Sequence, residues 1–186
     1  MSIRPRLRVL SSAAAAMAAA MLPASVTLAA GEPEPVQRYV GAVNRGDVEA
    51  ALALFTDDAR LVAGPDCTEP SPCIGKAEIR SKFLEPMFAQ RLKLVPMRVE
   101  ASSAESVRVD LALELDEFRE MGFDELRGTD EFRLRGGRIA SVLFRFDPAH
   151  PPTGRFLRMM AESAARRAAA PAAPAASTAP SPSPGR

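Results

Sequence analysis

Two residues stand where chemistry is conceivable in an apolar setting, Tyr39 and Asp130. Tyr39, the chain's one tyrosine, falls with Val36, Val40 and Val43 at i, i+3, i+4 and i+7 spacing. That stripe predicts a helix with the ring on its buried face. Further along, Leu126, Gly128, Asp130, Phe132 and Leu134 alternate with Arg127, Thr129, Glu131, Arg133 and Arg135. A half-buried strand is predicted from Phe123 to Arg135, with Asp130 pointing alongside the apolar side chains. A carboxyl buried without a cation has its pKa raised and can stay protonated, which makes it a hydrogen-bond donor. The plainer reading is that both groups are hydrogen-bonded inside a core, as buried polar groups usually must be.

Composition removes other chemistries. The chain has one histidine, His150, and no tryptophan. His150 lies in a proline-flanked loop read as surface, so histidine triads and histidine metal sites are excluded from the domain before it. No metal and no cofactor is expected. Asp57 and Asp58 read as a solvated pair before a strand. Arg145 alternates with Ile139, Ser141 and Leu143, which would let it face a pocket and pair with an acid. Cys67 and Cys73 bracket a proline-containing loop, and this pair is read as a disulfide that stabilises by about 2 kcal/mol on the chain-entropy model.

The chain divides into four parts. Residues 1–30 carry Arg4, Arg6 and Arg8 ahead of an alanine-rich apolar run, the pattern of a cleaved export signal. A secreted or periplasmic bacterial protein is expected, with no membrane contact after cleavage. Three of the 24 Lys+Arg and none of the 23 Asp+Glu lie in that leader, so the mature net charge is −2. No nucleic-acid footprint is present. Residues 33–147 form one domain, 148–167 an extra helix with Phe156, Leu157 and Met160 on its apolar side, and 168–186 a disordered Ala/Pro-rich tail.

Within the domain, Gly46 should end the first helix and Asp47 cap a second one carrying Val48, Ala51, Leu52 and Phe55. A short strand over Ala59 to Ala63 follows. A helix opening at Gly75 carries Ile79, Phe83 and Met87, with Pro86 ending or kinking it. Leu92 to Ala101 is a strand whose alternation slips at Val95-Pro96, signalling a bulge or an edge. Val107 to Leu115 alternates cleanly, and Gly136-Gly137 joins two last strands in a tight hairpin. Helices first and strands afterwards predict an α+β fold with the helices on one face of an antiparallel sheet.

The helix–R-G-D–helix opening, the T-D-D-A step, the I-G-K-A-E-I-R helix start and the F-R-L-R-G-G-R-I hairpin together resemble the nuclear-transport-factor-2-like superfamily, in its SnoaL-like and ketosteroid-isomerase-like branch. The resemblance implies a cone-shaped curved antiparallel sheet wrapped around the N-terminal helices, a deep apolar pocket and a homodimer. It places Tyr39 and Asp130 where ketosteroid isomerases keep their oxyanion donors, a system that is itself a standard example of a neutral carboxylic acid donor. Ligand contacts would then come from Tyr39, Phe55, Phe83, Asp130 and Phe132. The isomerases' general base aligns with Ala63, and Asp66 is the weaker candidate to replace it. Without a base the pair binds a polar atom and moves no proton. Three readings follow: a binding domain for a small apolar molecule, an isomerase- or cyclase-like enzyme using Tyr39 and Asp130, and a dimerisation or partner-binding module. Because Val142, Phe144 and Phe146 oppose Ile139 and Leu143, both faces of the last strand look covered, which would suit a dimer over the convex sheet.

Overall fold

The computed structural model describes residues 34–169, so the leader and most of the tail lie outside the described residues. The first helix, α1 (Glu34–Arg45), buries Val36, Tyr39, Ala42 and Val43, while Val40 is only half-buried. It ends in a paired capping pattern: Gly46 at φ 68° donates to the Val43 carbonyl at 2.9 Å, and Asp47 N–H donates to Ala42 at 3.0 Å. The Asp47 carboxylate then accepts from Ala50 N–H at 3.0 Å and starts α2 (Val48–Ala53). The second helix is shorter than its periodicity implies. Phe55, read as helical, is instead the first residue of β1 (Phe55–Val62), because burial of its side chain is satisfied as well from a strand.

The remaining strands are β2 (Cys73–Ile74), β3 (Lys93–Ser103), β4 (Ser106–Glu114), β5 (Leu126–Arg135) and β6 (Arg138–Phe146). They form one curved, unclosed sheet in the order β2-β1-β6-β5-β4-β3. The pairs are antiparallel except β1 with β6, which is parallel and corrects a purely antiparallel reading. The slip at Val95-Pro96 is both things it signalled: β3 is the edge strand, and its register shifts between Pro96 and Arg98. Asn44 ties this edge to α1, donating to the Leu94 carbonyl and accepting from its N–H, both at 2.8 Å. Gly136 and Gly137, at φ 57° and 72°, make the two-residue turn that joins β5 to β6.

Between β2 and β3 the helix is interrupted: α3 (Gly75–Ile79) passes through a wide π turn (Arg80–Leu84) into α4 (Glu85–Ala89). Pro86 sits just after that turn, where its missing N–H removes one ladder bond and a wider i→i−5 bond from Glu85 to Arg80 takes over. A five-residue helix, α5 (Asp116–Glu120), interrupts the stretch before β5, so the strand begins at Leu126 rather than Phe123. The last helix, α6 (Pro151–Ala169), runs two residues into the stretch expected to be disordered.

Several outward residues differ from their sequence reading. Asp57 and Asp58 lie within β1 and are paired, with Lys76 at 2.9 Å and with Arg135. Arg145 points away from the interior and pairs with Glu69 at 3.1 Å and Glu131 at 3.7 Å. A register shift between Arg133 and Leu134 turns Ile139 and Val142 to the same buried side, and Phe144 and Phe146 face inward. The outer face of β6 is therefore not apolar, and that ground for a dimer falls away. His150 is half-buried rather than a surface residue, with Nδ1 2.9 Å from the Thr153 hydroxyl at the start of α6.

Candidate functional site

The concave side of the sheet, α1, α5 and α6 enclose a cavity of about 460 Å³. Its wall is apolar over most of its extent, with Leu92, Leu94 and Leu113 from β3, β4 and the turn before them, and Phe83 and Met87 from the interrupted helix. Tyr39 and Asp130 both line it. The periodicities that predicted them place them correctly: Tyr39 is 2% and Asp130 5% exposed. Phe55 and Phe132 are nearly sealed and stand behind the tyrosine instead of in the cavity. Their rings meet the Tyr39 ring edge-on, with centroids 5.6 and 5.8 Å away. They fix the tyrosine's position and do not touch the cavity. Phe83 is the one phenylalanine expected in the wall that does line it.

The electrostatics follow from that burial. Desolvation raises the Asp130 carboxyl from its ordinary 3.8 to about 7, with no hydrogen bond or cation to oppose it. Burial, and then the nearby Asp130 charge, push the Tyr39 hydroxyl well above the usual phenol range. Neither group forms a hydrogen bond to protein among the described residues, yet each borders open space. Their polar atoms are reached from the cavity rather than sealed in protein, which leaves the pair free to bond an atom that enters it. Below neutral pH it presents two donors, O–H from Tyr39 and O–H from protonated Asp130.

The candidate base does not join them. Asp66 is exposed on the disulfide loop and outside the cavity wall, while Ala63 occupies the wall where a base would be needed. The loop itself borders the cavity through Gly64, Pro65, Cys67 and Thr68. Cys67 is bonded to Cys73, their Cα atoms 5.0 Å apart, and Ala63 N–H donates to the Cys67 carbonyl at 2.8 Å.

Sequence reasoning missed the α5 side of the mouth, whereas the apolar side of the C-terminal helix, left open between the mouth and the exterior, lies at the mouth. Leu115, Glu117, Phe118 and Met121 reach the cavity from α5 and its ends, and a five-residue helix is too short to display a 3.6-residue period. Phe156 of α6 is packed among Phe118, Phe123 and Phe146 at centroid distances of 5.3, 5.7 and 5.5 Å. Leu157 and Met160 continue that face over the opening. Thr153, fully buried, anchors the helix by accepting from Arg127 N–H at 2.8 Å. Gly128 also matters: a Cβ there would lie 2.3 Å from the Phe144 ring, so only glycine lets that ring lie beside Asp130 on β5. A glycine inside a strand pattern was the available signal of such a close approach.

Residues 36–142 match the family model described as the SnoaL-like domain, which covers more than half of the chain. The protein is a member of the SnoaL-like family. It thereby belongs to the nuclear-transport-factor-2-like superfamily. Among solved structures, this SnoaL-like chain is similar to SalBIII, an epoxide hydrolase/cyclase-like enzyme of pyran ring formation in the polyether salinomycin. The two share 25% identity over 61% of this chain and 88% of that one, with a TM-score of 0.52. A Mycobacterium tuberculosis protein in complex with estradiol-17beta-hemisuccinate matches at 24% identity, covering 61% and 91%, with a TM-score of 0.51. A computationally designed 17-OHP binder matches at 21%, covering 61% and 88%, with a TM-score of 0.52.

Proposed function

We propose that this SnoaL-like protein binds a small apolar molecule in its cavity and grips one oxygen of it with Tyr39 and protonated Asp130. The observation that carries this is the pair itself, two buried polar groups that border the cavity and have no protein partner among the described residues. A volume of about 460 Å³ falls within the range of small-molecule sites. Each hydrogen bond to a ligand oxygen contributes roughly 1 kcal/mol, and the apolar wall supplies most of the affinity. The scaffold tolerates such occupants, since the Mycobacterium tuberculosis neighbour holds a steroid ester.

The test is a titration with testosterone, followed by ligand fluorescence quenching or calorimetry, on the unmodified protein and on Tyr39→Phe and Asp130→Leu. Each substitution should weaken binding about 5- to 20-fold at pH 6. Unchanged affinity in both would sink the reading.

A second reading, a cyclase- or isomerase-like enzyme, has one observation in its favour. Glu117 brings a further carboxylate to the cavity wall, and the SalBIII relative is itself an epoxide hydrolase/cyclase-like enzyme. In that reading Tyr39 and Asp130 polarise an epoxide or carbonyl oxygen while the base is supplied from the mouth. Turnover of an epoxide-bearing polyketide that is lost in Glu117→Gln would favour it over binding alone.

We also place the protein in an oxidising compartment outside the cytoplasm. The leader pattern and a fully buried cysteine pair joined as a disulfide support this. A tagged chain retained in the cytoplasmic fraction, its cysteines open to alkylation, would contradict it. A homodimer over the outer sheet remains a further proposal, resting on a groove of about 520 Å³ between Met97 and Pro148. A mass in solution that stays monomeric at high concentration would end it.

A further inference from the structure

Among the described residues, the ionisable groups that line the cavity are Tyr39, Glu117 and Asp130, and no lysine, arginine or histidine accompanies them. All three carry either no charge or a negative one. An organic anion entering this space would leave water without gaining a counter-charge, and burying an unpaired charge is strongly unfavourable. Tyr39 and Asp130 are buried, whereas Glu117 is exposed on α5 and therefore stands toward the open end.

The cations nearest α5 in its ion-pair network are committed elsewhere. Arg91 forms a two-pronged pair with Asp116 at 2.7 and 2.8 Å. Arg119 binds Glu114 at 2.6 Å and Asp116 at 3.1 Å. Glu117 has no ion-pair partner among the described residues, although Glu114 and Asp116, which precede it, do. The network thus neutralises Glu114 and Asp116 and leaves Glu117 and Glu120 unpaired among the described residues, and of these two Glu117 borders the cavity.

Resting on the binding reading above, we propose that Glu117 sets a charge filter. The cavity takes an apolar molecule with an uncharged oxygen at its inner end and a protonated amine at its outer end, held by the Glu117 carboxylate. Molecules with a carboxylate at that outer end are rejected. The inner pair supplies donors to an acceptor oxygen, and the outer carboxylate supplies an acceptor to a cationic donor, so the two ends demand opposite chemistry. Neutral molecules bind between these extremes.

Three probes with the same 3-oxo steroid body isolate the outer end: a 17β-amine, the 17β-alcohol and its 17β-hemisuccinate. At low salt and pH 6, where the amine is protonated, the amine should bind about 3- to 10-fold more tightly than the alcohol, the range of one partly exposed charge-assisted hydrogen bond. The hemisuccinate should bind at least tenfold more weakly than the alcohol. Glu117→Gln should erase the amine's advantage, and Glu117→Lys should reverse the order of amine and hemisuccinate. Raising salt should narrow the spread without affecting the alcohol.

An amine advantage that survives Glu117→Gln would overturn the proposal, because the cation would then be bound at Asp130. Equal affinity for the three probes would overturn it too, while leaving the binding reading intact. Failure of all three probes to bind overturns both. Because Glu117 is exposed and packs in no core, its variants should fold as the parent does, which circular dichroism checks.

Discussion

One strand separates two unlike surfaces. On its inner side β5 buries Phe132 behind Tyr39 and presents Asp130 to a cavity of about 460 Å³. On its outer side it presents Arg127, Thr129 and Glu131 to a groove of about 520 Å³. The volumes are alike and the chemistry is opposite. In the outer groove polar groups already satisfy one another: Thr129 donates to Asp110 at 2.7 Å, Arg108 reaches Asp110 at 3.3 Å, and Arg145 bridges to Glu131 at 3.7 Å. In the inner cavity Tyr39 and Asp130 have no partner among the described residues. Size alone therefore does not mark a ligand site. What marks it is unspent hydrogen-bonding capacity held in an apolar wall.

The sharpest break in that comparison comes from truncating adjacent residues. Phe132 is 1% exposed and backs Tyr39, whereas Arg133 points to solvent. Phe132→Ala should cost about 3–5 kcal/mol and Arg133→Ala less than about 0.5 kcal/mol in urea unfolding. Similar losses at both positions would mean that the two faces do not differ as described.

Next in size is the pH response of Asp130. Its folded pKa, about 7, lies above its ordinary 3.8, so the folded protein holds this proton more tightly than the unfolded chain does. Its contribution to stability is full below about pH 4, declines as pH rises, and is lost above about pH 7. The amount is on the order of a few kcal/mol. The carboxylates of Asp57, Asp58, Glu78 and Asp116, all lowered by hydrogen bonds and ion pairs, act in the opposite sense at acid pH in any variant. The difference between the parent and Asp130→Asn therefore isolates Asp130: the variant should gain on the parent from pH 4 to pH 8. A parallel pair of stability curves would mean that the carboxyl is solvated.

Filling the notch at Gly128 tests how the cavity wall is built. Gly128→Ala should cost about 1–3 kcal/mol and displace Phe144, since a Cβ would meet its ring at 2.3 Å and the Arg145 carbonyl at 2.6 Å. Unchanged stability would show that the ring has another place to go.

Legibility followed the length of the pattern. Ten alternating residues of β5 were enough to orient Asp130, and the spacing from Val36 to Val43 was enough to bury Tyr39. Gly46 and Asp47 announced a helix end and a helix start because single residues carry those signals. The α5 side of the mouth was not legible, because α5 spans five residues and its apolar members face the cavity through tertiary packing alone. The direction of Arg145 was misread for a related reason. The register shift between Arg133 and Leu134 changes which face β6 presents, and a bulge depends on the partner strand. Phe55 and Phe132 were correctly apolar and wrongly placed in the wall, since alternation gives a face and says nothing of depth.

The smallest expected effect probes the outer groove. Arg145 and Glu131 are 58% and 46% exposed and 3.7 Å apart, and Arg145 also reaches Glu69. Solvent screens such a pair, and holding two long side chains together offsets much of the attraction. Glu131→Gln should therefore change stability by less than about 0.5 kcal/mol, and the change should vanish in 1 M salt. It should leave testosterone binding untouched, although Glu131 is the immediate sequence neighbour of Asp130. A larger loss, or any loss of ligand affinity, would mean that the outer network holds β5 in register for the cavity. The two faces would then be one site, and the contrast between spent and unspent polar groups would no longer divide function from scaffold.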